Sequence, residues 1–123
     1  MPASLAACGG GQPGNGVVLK WYVFNEPSGA FATDARDCSA SSSGAYRIAL
    51  VPLPADADQQ REQLVRRLAA RDHDIDLIGM DVIWSAEFAQ AGWILPWSAR
   101  LARQTTAGRV ASTVAGARYQ GRL

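Results

Sequence analysis

The amino-acid sequence predicts an α/β fold with a mostly parallel sheet and flanking helices. Three observations carry that expectation. Runs of β-branched and aromatic residues (Val17 to Phe24, Tyr46 to Leu53, Ile75 to Ile83) alternate with stretches of helical periodicity. The third run is almost continuous in apolar residues, as a strand covered by helices on both faces should be. The order β-α-β-α-β-α calls for crossover connections, which make the strands parallel and the crossovers right-handed.

Each element has a local reason. The first strand, Val17 to Phe24, is apolar except for Lys20 and is broken sharply by Asn25-Glu26-Pro27-Ser28-Gly29. Ser28 is placed to cap a helix from about Gly29 to Cys38, with Phe31 and Ala35 on one face. Ser39 to Gly44 is a polar loop, and the second strand, Tyr46 to Leu53, ends at Pro52 and Pro54. Asp56 followed by Gln59 resembles a capping box and opens the clearest helix. Leu64, Val65, Leu68 and Ala69 form its apolar stripe, and Glu62 and Arg66 pair four apart. Arg71 to Asp74 end that helix, and Ile75 to Ile83 form the third strand. A short helix follows Trp84 and stops at Gly92. Leu95-Pro96-Trp97 reads as extended, a weaker helix covers Ala99 to Val114 across Gly108, and Ala115 to Leu123 begins a turn with room for a further strand.

Composition narrows the function classes. The chain has 123 residues and a formal net charge of +1, the size of one domain. Without a basic stripe, nucleic acid is not an expected partner. No run approaches the roughly 20 apolar residues that span a bilayer. One histidine, His73, lies in a polar turn with Arg71, Asp72 and Asp74, where a solvated surface role is the reading, and no zinc site is expected. No cofactor is read from the sequence. A phosphate loop and a dinucleotide GxGxxG after a strand are both missing, and the Gly-rich run Gly9 to Gly16 precedes the first strand.

The two cysteines read differently. Leu5-Ala6-Ala7-Cys8, followed by Gly9-Gly10-Gly11, resembles a bacterial lipobox, with Cys8 the lipidated residue and residues 1–16 a lipobox remnant and flexible tether. Only Met1 to Ala7 precede Cys8, without the charged and apolar regions of a signal peptide, so the chain as it stands is expected to be exported poorly. Cys38 is left over, and two readings stand: a disulfide partner beyond this chain, or a free, partly buried thiol.

Ligands of parallel α/β sheets bind beyond the carboxyl ends of the strands. Asn25 and Glu26 follow the first strand there, and Asp81 to Trp84 follow the third. A carboxylate for hydroxyl groups beside an indole plane for the apolar face of a ring is what holding a sugar requires. Competing readings are structural. Asp81 would serve as a helix cap, Trp84 as core, Asn25 as a turn former and Glu26 as a solvated loop charge. An enzymatic reading would take Asp81 and Glu87 as a glycosidase carboxylate pair, but six residues across a strand-helix junction place them poorly for one bond.

Several segments resemble one family, the extracellular solute-binding proteins of carbohydrate ABC importers, and within it the trehalose-binding lipoproteins of actinobacteria. They are Trp21-Tyr22-Val23, Leu53-Pro54-Ala55-Asp56-Ala57-Asp58-Gln59-Gln60-Arg61, Asp81-Val82-Ile83-Trp84, Glu87-Phe88-Ala89 and Ala91-Gly92-Trp93, with Gly121-Arg122-Leu123 leading toward a further strand. The resemblance implies a non-enzymatic sugar receptor of the periplasmic-binding-protein fold, outside the cytoplasm and lipid-anchored through Cys8. Its two α/β lobes close over a disaccharide and then dock on ABC permease subunits. Carried over residue by residue, the sugar contacts are Asn25, Glu26, Gln60 and Asp81, with Trp84 a further candidate; for Gln60 the competing reading is a helix-surface residue. Members of the family are much longer, so residues 17–123 are expected to be an incomplete N-terminal lobe. The alternatives are an inert fragment of a broken gene and a carbohydrate-active enzyme.

Overall fold

The computed structural model of the chain describes residues 16–123, so Cys8 and most of the expected tether lie outside the described residues. Three strands form one sheet in the order β2-β1-β3: β1 (Val17–Phe24), β2 (Tyr46–Leu53) and β3 (Leu77–Ile78). Both pairings are parallel, with Phe24 opposite Leu53 and Tyr22 opposite Ile78. Helices α1 (Ala30–Ser41) and α2 (Ala57–Ala69) are the crossovers, and α3 (Ser85–Gln90), α4 (Ala99–Thr106) and α5 (Ala111–Gly116) follow. The expected α/β class and parallel order are those observed.

Strand alternation sorts the side chains into two layers. Tyr22, Leu53 and Ile78 face α2 and α3, where they meet Leu64, Trp84 and Phe88 in the main core. Trp21, on the opposite face, meets Phe31 of α1 with ring centroids 5.3 Å apart; Phe24 has the parity of Tyr22 but ends the strand, and its ring also reaches Phe31, at 5.4 Å. The chain is therefore a three-layer unit with its sheet in the middle.

Four expectations need correction. The third strand is short: β3 holds Leu77 and Ile78, where Ile75 to Ile83 was expected. The amides of Asp76 and Gly79 on either side of it donate to the carbonyls of Lys20 and Tyr22, and beyond Gly79 the chain leaves β1 for the turn that Asp81 caps. Gly79 sits so close to β1 that a Cβ there would lie 2.6 Å from Val23 Cγ2. Second, α1 is capped by Glu26 more than by Ser28. Gly29 holds the cap position at φ 76°, and the Glu26 carboxylate accepts from Ala30 N at 3.0 Å, against 3.3 Å for Ser28 Oγ. Third, the long C-terminal helix is two helices, because Gly108 turns the chain at φ +71°. Fourth, Cys38 is exposed and not partly buried. Beyond Gly116, Tyr119 and Arg122 form a single antiparallel bridge.

The opening of α2 follows its sequence signal: Asp56 Oδ1 accepts from Gln59 N at 2.9 Å. At the amino end of the sheet, charge fixes the strands. Asp76 Oδ2 accepts from Lys20 N at 2.8 Å, and the Lys20 ammonium pairs with Asp74. Asp74 also accepts from the Tyr22 hydroxyl at 3.2 Å, and the Arg67 guanidinium lies 4.6 Å from the Tyr22 ring centroid. Arg67 donates in turn to Asp72 at 2.7 Å. The one polar atom of the buried Tyr22 side chain thus ends in an ionic cluster.

Candidate functional site

Parallel pairing sends β1 and β3 out of the same sheet edge, so Asn25 and Asp81 leave on one side of the molecule although 56 positions separate them in sequence. The start of α2, with Gln60, lies at this edge because α2 follows directly from the carboxyl end of β2. The edge is where ligands of open parallel sheets bind.

The five sequence-derived residues differ in what they leave free. Asn25 is exposed, and its side-chain amide makes no hydrogen bond among the described residues. Asp81 is exposed as well. Its Oδ1 accepts from Ile83 N at 3.2 Å, capping the 3₁₀ turn Val82–Trp84, while Oδ2 has no partner among the described residues. Cap and ligand contact are therefore compatible in one carboxylate, because the two oxygens can act separately.

Glu26 is more committed. Its Oε1 accepts from Ser28 N at 2.8 Å, and its Oε2 accepts from the Ser28 hydroxyl and from Ala30 N. The Ser28 hydroxyl bond and these amides hold its carboxyl below the usual range, so it is an anion at neutral pH. One acceptor position of about four remains. Gln60 is buried at 7% exposure, and its Nε2 reaches Ala55 O at 3.4 Å, so it is not the surface side chain a helical position suggests.

Trp84 is the clearest correction. It is only 6% exposed and stacks on Phe88, ring centroids 6.3 Å apart. Phe88 in turn meets Trp93 edge-on at 5.6 Å. The indole ends the turn that Asp81 caps, packs in the core and offers no open plane at the edge. The strand that was to deliver it ends at Ile78, and the 3₁₀ turn rotates Trp84 inward.

A concavity of about 240 Å³ lies at this edge. Phe24, Asn25, Glu26 and Gly29 line its rim, and Leu50, Pro52 and Ala32 its wall. Its volume is below the roughly 300–1,000 Å³ of a complete ligand pocket. Phe24 had no site role in the sequence reading; it read as one more apolar strand residue.

Of the Asp81–Glu87 carboxylates, Glu87 is already engaged. Arg61 on α2 holds Glu87 through a two-pronged contact, Nε to Oε2 at 2.8 Å and Nη2 to Oε1. This ion pair joins α2 to α3, and no local spacing announced it. Among the described residues no cluster of three or more metal-ligating side chains occurs.

Comparison with solved structures shows the fold. The chain superposes on the maltodextrin-binding protein MalE1 from L. casei BL23, determined without ligand, with a TM-score of 0.72 at 13% sequence identity. The match covers 88% of this chain and 28% of that one. The architecture is thus that of part of a periplasmic-binding-protein fold. No family model matches the sequence.

Proposed function

We propose that the chain is the ligand-contacting part of a sugar receptor serving an ABC importer. Its ligand is a disaccharide containing glucose, such as trehalose. The receptor works outside the cytoplasm, held to the membrane by a lipid on Cys8, and delivers the sugar to permease subunits. It binds the sugar without turning it over.

One observation carries this reading. Two strand exits far apart in sequence bring hydrogen-bonding groups without a partner among the described residues, the Asn25 amide and Asp81 Oδ2, to the edge where parallel sheets take ligands. Sugar hydroxyls both donate and accept. An amide answers both needs, and a carboxylate gives strong charge-assisted bonds. The likeness in fold to a maltodextrin-binding protein supports the same reading.

Substitution at Asp81 tests it. A hydrogen bond to a charged group contributes roughly 1.5–3 kcal/mol. Asp81→Ala should therefore weaken trehalose binding by about tenfold to a hundredfold, measured by titration calorimetry. Asp81→Asn retains a capping side chain and should keep the fold while losing affinity. Binding by Asp81→Asn equal to wild type, with Asp81→Ala only melting earlier, would reduce Asp81 to a cap. Product analysis after long incubation should recover the disaccharide intact.

A further inference from the structure

The edge carries an aromatic plane, and it is not the tryptophan the sequence suggested. Phe24 is the last residue of β1 and stays 39% exposed, whereas its strand neighbour Tyr22 is buried. Phe31 packs against it at 89° between ring planes, which fixes the ring's orientation. The ring borders the concavity together with Asn25 and Glu26. A half-exposed phenyl held in place beside an open amide and an anion has two kinds of contact to offer. The ring takes the C–H face of a cyclic sugar, and the polar groups take its hydroxyls.

We infer that Phe24 is the stacking platform of the site and that it selects pyranose rings over open-chain polyols. This rests on the sugar-receptor reading above and adds the residue that sets ligand class. An alditol has the hydroxyls of a sugar but no ring face, so it engages the polar groups without the platform. A pyranose engages both.

The test is a nuclear magnetic resonance titration of the ¹⁵N-labelled protein with trehalose, maltose and sorbitol. Wild type should show amide shifts at Asn25 and Asp81 with the two disaccharides, and upfield shifts of their ring protons from the Phe24 ring current. Phe24→Leu keeps apolar bulk and loses the plane; it should bind the disaccharides about threefold to tenfold more weakly. Phe24→Tyr keeps the plane and should bind like wild type. Sorbitol should bind more weakly and respond to neither change. The amide spectrum of each variant reports folding directly. If Phe24→Leu binds as wild type does while Asp81→Ala loses affinity, the platform is wrong and the receptor reading stands. The platform is equally wrong if Phe24→Tyr loses as much as Phe24→Leu. If no saccharide perturbs the wild-type spectrum, both fall.

Discussion

Residues 17–94 and residues 95–123 use the same local rules of helix formation and end in different physical states. In the first region α2 has a capping aspartate, an apolar stripe and a partner surface; Leu64 is 0% exposed beneath it. In the second, α4 has an equally proper cap, Ser98 Oγ accepting from Leu101 N at 3.3 Å, yet Leu101 is 45% exposed. Among the described residues every buried one lies between Tyr22 and Phe88, and α4 and α5 contain none. The second region is tied down by single contacts. Trp97 N donates to Leu123 O at 2.8 Å, Tyr119 bonds to Gln90, and Gly116 lies close against Val82. Capping and propensity set where a helix starts and stops. Most of a helix's stability in a protein comes from the face it buries.

Truncation of one leucine in each region should break or confirm this contrast. Leu64→Ala removes a fully enclosed side chain and should destabilise by about 2–5 kcal/mol in urea unfolding. Leu101→Ala should stay within about 0.5 kcal/mol of wild type. Equal effects would mean that α4 is held by packing after all. Gly79→Ala comes next in size. The added methyl meets Val23 Cγ2 where β3 leaves the sheet, and Val23 is itself buried, so a loss of about 1–3 kcal/mol is expected. A neutral result would show that the β3 exit can move aside.

The smallest effect sharpens the comparison by pH, since the ion-paired cluster belongs to the first region alone. The Lys20 ammonium holds Asp74 below the usual carboxylate range, and the Asp74 amide with Arg67 does so for Asp72. These groups stabilise fully above about pH 4, where carboxylates in the unfolded chain are ionised. Their contribution is lost as pH falls through the lower folded values. Lys20 is raised by Asp74, so its contribution is present below about pH 10.4 and is lost as pH rises through the folded value. Lys20→Met should therefore lower the urea midpoint at neutral pH and flatten both the acid and the alkaline limbs of a pH series. An unchanged profile would leave the cluster without thermodynamic weight.

The placement of the candidate site residues was partly legible for the same reason as the fold. Asn25 and Asp81 could be named because strand exits are marked by local breakers, and parallel order follows from β-α-β alternation. Gln60 was named as a sugar contact, and the tertiary structure decided that it is buried; Trp84 was named as a plane, and the structure turned it into core. The exposure of Phe24 was not legible, because an apolar residue ending a strand looks like any other until its neighbours are known.

By itself the sequence determined the α/β class, the parallel order of the strands, the cap at Asp56 and the sheet edge at which Asn25 and Asp81 leave. These depend on hydrophobic period and on hydrogen bonds spanning a few residues. Only the tertiary structure decided that β3 stops after Ile78, that Arg61 takes Glu87, that Glu26 caps α1, and that the open aromatic ring is Phe24 and not Trp84. Each of these depends on which distant surfaces meet. Burial and ion pairing are properties of pairs of segments, and no single segment's sequence contains its partner.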